Sequence, residues 1–143
     1  MDETSAWIAR SAIAELITRY AALNDAGEWD ALAALYTEDG RMSRPSAPEE
    51  FITGRTAILA AFRARPRRAS RHIVTNILVT LDGEVRARAT SHMLLFIGQA
   101  ASDGGLPTLS ATPPLIGGSE DRLIRTTSGW RFDERRGRLD FRT

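Results

Sequence analysis

Apolar residues recur at steps of three and four from Ser5 to Leu23: Ile8, Ala12, Ile13, Leu16, Ile17, Tyr20 and Leu23 share one face. The spacing predicts an amphipathic helix, capped by Thr4 or Ser5 and stopped by Asn24-Asp25-Ala26-Gly27. A shorter helix is predicted from Glu28 to about Tyr36, with Trp29, Leu32, Ala33 and Tyr36 on one side. Thr37 to Gly40 reads as a turn, Arg41 to about Arg44 as a short strand and Pro45 to Thr53 as a loop. Gly54 to Ala64 reads as a third helix carrying Ile58, Leu59 and Phe62.

After Pro66 the period changes to two. His72 to Leu81 is rich in β-branched residues, and Asp82-Gly83 is a hairpin signal. Glu84 to Gly98 alternates Val85, Ala87, Ala89, Ser91, Met93, Leu95 and Ile97 on one face with Arg86, Arg88, Thr90 and His92 on the other. Ala101 to Gly118, rich in Gly and Pro, reads as a long irregular connection, with Gly117-Gly118 at a bulge or bend. Glu120 to Thr127 and Trp130 to Phe141 form a final hairpin around Ser128-Gly129. Helices first and an antiparallel meander afterwards predict one α+β domain over residues 1–143. A sheet of this size, curled over only three helices, is expected to leave a pocket at one end.

Composition narrows the chemistry. All 19 basic residues are arginine, and there is no cysteine. Lysine Schiff bases, thiol nucleophiles, thiolate metal sites and disulfides are therefore excluded. Two His twenty residues apart do not make a metal site. The net charge of +1 gives no field for nucleic acid, and no apolar run spans a membrane. The acidic start, Met1-Asp2-Glu3-Thr4, is the wrong flank for a secretory signal, so the expectation is a soluble cytoplasmic protein. Arginines crowd Arg63 to Arg71 and Arg135 to Arg142. Both clusters read as solvated surface, the second paired with Asp133, Glu134 and Asp140. A lesser alternative has one arginine binding an acidic ligand at the pocket rim.

The order of short motifs carries a resemblance. Ile17-Thr18-Arg19-Tyr20, Asn24 to Leu32, Leu35 to Gly40, Gly54 to Ile58, Ser70 to Asn76, Asp82-Gly83-Glu84, Glu120-Asp121-Arg122 and Gly129 to Phe132 together resemble the SnoaL-like branch of the nuclear transport factor 2-like superfamily. The resemblance implies a cone-shaped α+β fold, with a curved antiparallel or mixed sheet wrapped around three helices. It also implies one apolar pocket and a homodimer through the outer sheet face. The superfamily holds scytalone dehydratase, ketosteroid isomerase, limonene epoxide hydrolase, polyketide cyclases and non-enzymatic members, so fold does not fix function.

Laid on the dehydratase pattern, Asp25 and His72 fall at a pocket aspartate and histidine, which implies an acid–base pair. The plainer alternatives are a helix-ending aspartate and a satisfied core histidine. Three dehydratase positions differ: Asn24 and Arg44 stand where that family keeps tyrosines, and Leu95 near its second histidine. Tyr20 matches the oxyanion-donor tyrosine of ketosteroid isomerase, but Arg44 replaces that family's carboxylate base. Substrate-contacting positions are then Tyr20, Asn24, Arg44, Met93 and Leu95, and His92 points outward. The expected activity is a cofactor-free lyase, hydratase or isomerase acting on a small hydrophobic, aromatic or polyketide-like molecule. The alternative is a non-catalytic ligand-binding or structural subunit, since Ser70 to Asn76 and Glu120 to Arg125 also resemble dioxygenase small subunits.

Overall fold

The computed structural model describes residues 1–143. Helix α1 runs Glu3–Ala26, α2 Trp29–Ala33 and α3 Arg55–Arg63. The strands are β1 Tyr36–Arg44, β2 Ala47–Thr53, β3 Ala69–Asp82, β4 Arg86–Gln99, β5 Thr108–Leu109, β6 Leu115–Thr126 and β7 Gly129–Leu139. They form one strongly curled mixed sheet in the order β2-β1-β7-β6-β4-β3, with β5 added beside β4. The β1–β7 pair is parallel; every other pair is antiparallel. The result is an α+β half-barrel closed by the helices, as the motif order implied.

Helix α1 is longer than its apolar periodicity suggested. Asp2, not Thr4 or Ser5, is its N-cap, accepting from the Ser5 N–H at 2.7 Å. Gly27 ends it at φ 71°, which glycine adopts without a Cβ penalty. Ile13 and Ile17 are fully buried in a core shared with Leu32, Tyr36, Ile58, Leu123 and Phe132.

Three stretches differ from the sequence reading. The second helix is a single turn and a half, and Tyr36 begins a strand rather than ending a helix. The residues read as a turn and a loop, 37–40 and 47–53, are strands: β1 and β2 pair with each other in a tight hairpin, and β7, far away in sequence, supports β1 on its other side. The connection read as irregular up to Gly118 already joins β6 at Leu115 and contributes β5. Within β3, Asn76 takes φ 53° and the register shifts between Thr75 and Leu78. His72 and Val74 therefore face inward before it, and Ile77, Val79 and Leu81 face inward after it.

The neighbouring strands approach β6 closely at Gly117-Gly118. A Cβ on Gly118 would overlap the carbonyl oxygen of Ser91 on β4, so this approach requires glycine. Gly118→Ala is expected to destabilise the fold by about 2 kcal/mol or more. A thermal melt that stays within a degree or so of the parent would contradict this contact.

Candidate active site

The curl leaves a cavity of about 340 Å³ between α1, α3 and the inner face of the sheet. Its size lies in the range of small-molecule sites. Its wall is mainly apolar, as the resemblance implied, with polar and charged side chains set into it. Four arginines and one histidine line it, and no carboxylate does.

Asp25 lies in the last turn of α1, where the negative end of the helix dipole disfavours a carboxylate and the helix's last turn holds no basic residue. Three donors from the start of β3 offset that cost. The Ser70 hydroxyl donates to Asp25 Oδ1 at 3.0 Å, and the His72 backbone N–H donates to Oδ2 at 2.8 Å. His72 Nδ1 lies 2.5 Å from Oδ1. A carboxylate only accepts, so Nδ1 carries the proton, and Nε2 is the nitrogen left for a ligand. Asp25 and His72 are thus brought together, but not as two faces of the cavity. His72 lines it, and Asp25 stands behind the imidazole.

Burial pushes the His72 imidazole below its ordinary value near 6.5. Asp25 raises it through the hydrogen bond and its charge, whereas Arg68 and Arg65 lower it further. The ring is therefore neutral at pH 7.

Tyr20 lines the buried end of the cavity with Tyr36. Their hydroxyls are 2.9 Å apart, and burial pushes both phenols up. Two hydroxyls sharing one hydrogen bond leave one O–H free to donate to a ligand. Beneath them, Arg135 lies 4.3 Å from the Tyr20 ring centre and 4.6 Å from that of Phe132. Its Nε donates to Asp121 Oδ1 at 3.0 Å, with both side chains out of solvent. Burial pushes the Asp121 carboxyl up to about 6 against the pull of Arg135, so the pair is ionised at pH 7.

Asn24, Arg44, Met93 and Leu95 all line the cavity, and His92 faces outward. Tyr36, Arg65, Arg68 and Arg135 join them, although the sequence reading put Tyr36 in a helix and the arginines on the surface. The surface reading holds for Arg138, paired with Asp140, and fails for Arg135. No local signal marked Arg135, because a register shift in the final hairpin sets it opposite Asp121. No three His, Asp or Glu side chains converge to hold a metal ion, and no helix is long and apolar enough to cross a membrane.

A family model described as a SnoaL-like domain matches residues 6–136. No curated protein matches the chain. Among solved structures, it is similar to a nuclear transport factor 2-like protein with a cystatin-like fold from Novosphingobium aromaticivorans. That pair has a TM-score of 0.76 and 26% identity over 96% of this chain and 86% of the other. A protein from the same organism, provisionally named a scytalone dehydratase, gives a TM-score of 0.79 at 22% identity, covering 98% and 89%. ActVI-ORFA from Streptomyces coelicolor gives 0.72 at 19% identity, covering 91% and 96%. The last two likenesses, at this identity, speak for the fold.

Two substitutions test the geometry. Asp25→Ala leaves three donors without their acceptor and is expected to cost about 2 kcal/mol in urea unfolding at pH 7. Arg135→Met strands a buried carboxylate and is expected to cost about 3 kcal/mol, much of it recovered in the Asp121→Leu/Arg135→Met double variant. Additive losses in the double variant would mean the two side chains do not act as a pair.

Proposed function

The chain belongs to the SnoaL-like domain family, and on that premise we propose a cofactor-free acid–base enzyme of the lyase, hydratase or isomerase type. Its substrate is a small, largely apolar or aromatic molecule held between His72 and Tyr20. The observation that carries the reading is the Asp25–His72 contact, which presents a neutral imidazole with a fixed tautomer to a cavity.

In this reading His72 Nε2 takes a proton from a substrate carbon next to a carbonyl. The electron pair moves onto the carbonyl oxygen, which the free O–H of the Tyr20–Tyr36 pair stabilises. The imidazolium, held by Asp25, then returns the proton. Delivered to a departing hydroxyl, it completes loss of water; delivered to another carbon, it completes an isomerisation. His72 is the catalytic residue and Asp25 its positioning residue.

All these reactions begin with carbon–hydrogen cleavage, so the test needs no named substrate. In D2O, the protein is expected to speed exchange of the protons beside the carbonyl of bicyclic aromatic ketones such as 2-tetralone, followed by NMR. His72→Ala should lose this activity by about two orders of magnitude or more. The rate should fall on acidification with a midpoint below pH 6.5, because only the neutral ring accepts the proton and its pKa is lowered. Asp25→Asn removes two raising influences and should move that midpoint lower still. Exchange unaffected by His72→Ala would leave a cavity that holds ligands without chemistry.

A further inference from the structure

Three of the arginines that lack a carboxylate partner are gathered in the cavity, whose wall holds no carboxylate. Nineteen arginines face 18 carboxylates overall. Arg41, Arg63, Arg135, Arg136 and Arg138, among others, have carboxylate partners within ion-pair distance. Arg44, Arg65 and Arg68 have none, and all three line the same cavity.

Their remaining contacts position them without neutralising them. Arg44 donates to the Ala61 carbonyl at 3.5 Å, and Arg65 to Asn24 Oδ1 at 3.4 Å. Arg65 also lies 5.4 Å from the Phe62 ring centre and 5.7 Å from that of Trp29. The three guanidiniums crowd one another: Arg65 is held below its ordinary value by burial and then by Arg68 and Arg44. Like charges gathered around a partly enclosed space cost free energy unless an anion joins them. A second, independent feature points to a polar ligand. The Ser43 hydroxyl, 4% exposed and in the cavity wall, is the only buried side-chain polar atom without a hydrogen-bond partner.

We propose that the molecule the cavity accepts carries a carboxylate, held at the open end by Arg44, Arg65 and Arg68 beside His72. Its apolar body lies inward toward Phe62, Met93 and Leu95. This rests on the reading of the cavity as the substrate site and names the substrate class: small, mainly apolar organic acids. Guanidinium groups suit a carboxylate because their parallel N–H donors match its two oxygens.

The test compares 2-naphthoate with its neutral methyl ester by calorimetry on the His72→Ala protein, so that binding is read apart from turnover. The acid is expected to bind about tenfold more tightly than the ester. Arg68→Gln, an exposed position, should remove most of that preference and leave the ester unchanged. Raising salt from about 0.05 to about 0.5 M should weaken the acid alone. Equal affinity for the two probes, or no binding of the acid at about 1 mM, overturns the proposal. Equal loss of both probes in Arg68→Gln overturns it too. An acid preference without any proton exchange in the parent protein would refute the enzymatic reading and keep this one. Exchange of neutral ketones without an acid preference would do the reverse.

Discussion

The cavity depends on one carboxylate placed where a helix least favours it. Asp25 ends α1 with its charge at the negative pole of the helix, and three donors from the first residues of β3 hold it there. Those bonds fasten the open end of the half-barrel, since α1 rests mainly on β3. They also settle the tautomer and direction of the His72 ring. A single set of contacts therefore closes the fold locally and leaves Nε2 as the free nitrogen. The contacts of Asp25 thus bear on both the packing of α1 and the state of the imidazole, which is why its removal is read by both unfolding and the pH midpoint.

The second organising feature is an uneven treatment of charge. At the buried end, Asp121 and Arg135 face each other out of solvent beneath Tyr20. Two charges so deeply buried gain little net stability. What they supply is a fixed polar base under the Tyr20–Tyr36 pair in the apolar core. At the open end, Arg44, Arg65 and Arg68 go without acidic partners. One end of the cavity is thus electrostatically complete, and the other is left for what enters it.

Much of the fold was legible because α1, α3 and the strands after Pro66 keep their periods and the motifs fall in family order, whereas β1 and β2 lie among the helices. Legibility failed where an extra residue changes the phase of a strand. A regular hairpin turning at Ser128-Gly129 would set Asp121 opposite Glu134. The extra residue Asp133 on β7 shifts the register, and Asp121 meets Arg135 instead. Local pattern contains no trace of that ion pair. The same holds at Asn76, which inverts the inward face of β3. Tyr36 was misplaced because its strand pairs with β7, almost a hundred residues away. Asp25 and His72 were found through the family pattern, not through spacing, since 47 residues separate them.

The three features act in order along the cavity. Guanidiniums at the mouth would hold the acid group of a ligand and so fix which end enters first. Burial first, and then the charges of Arg68 and Arg65, lower the pKa of His72 and favour the neutral ring, able to accept a proton. A carboxylate seated among them would screen that effect and raise the affinity of the imidazole for a proton. Binding would then strengthen the base it is presented to, while the phenols at the far end, kept protonated by burial, remain donors throughout. In this arrangement the ligand's own charge would tune the imidazole it meets.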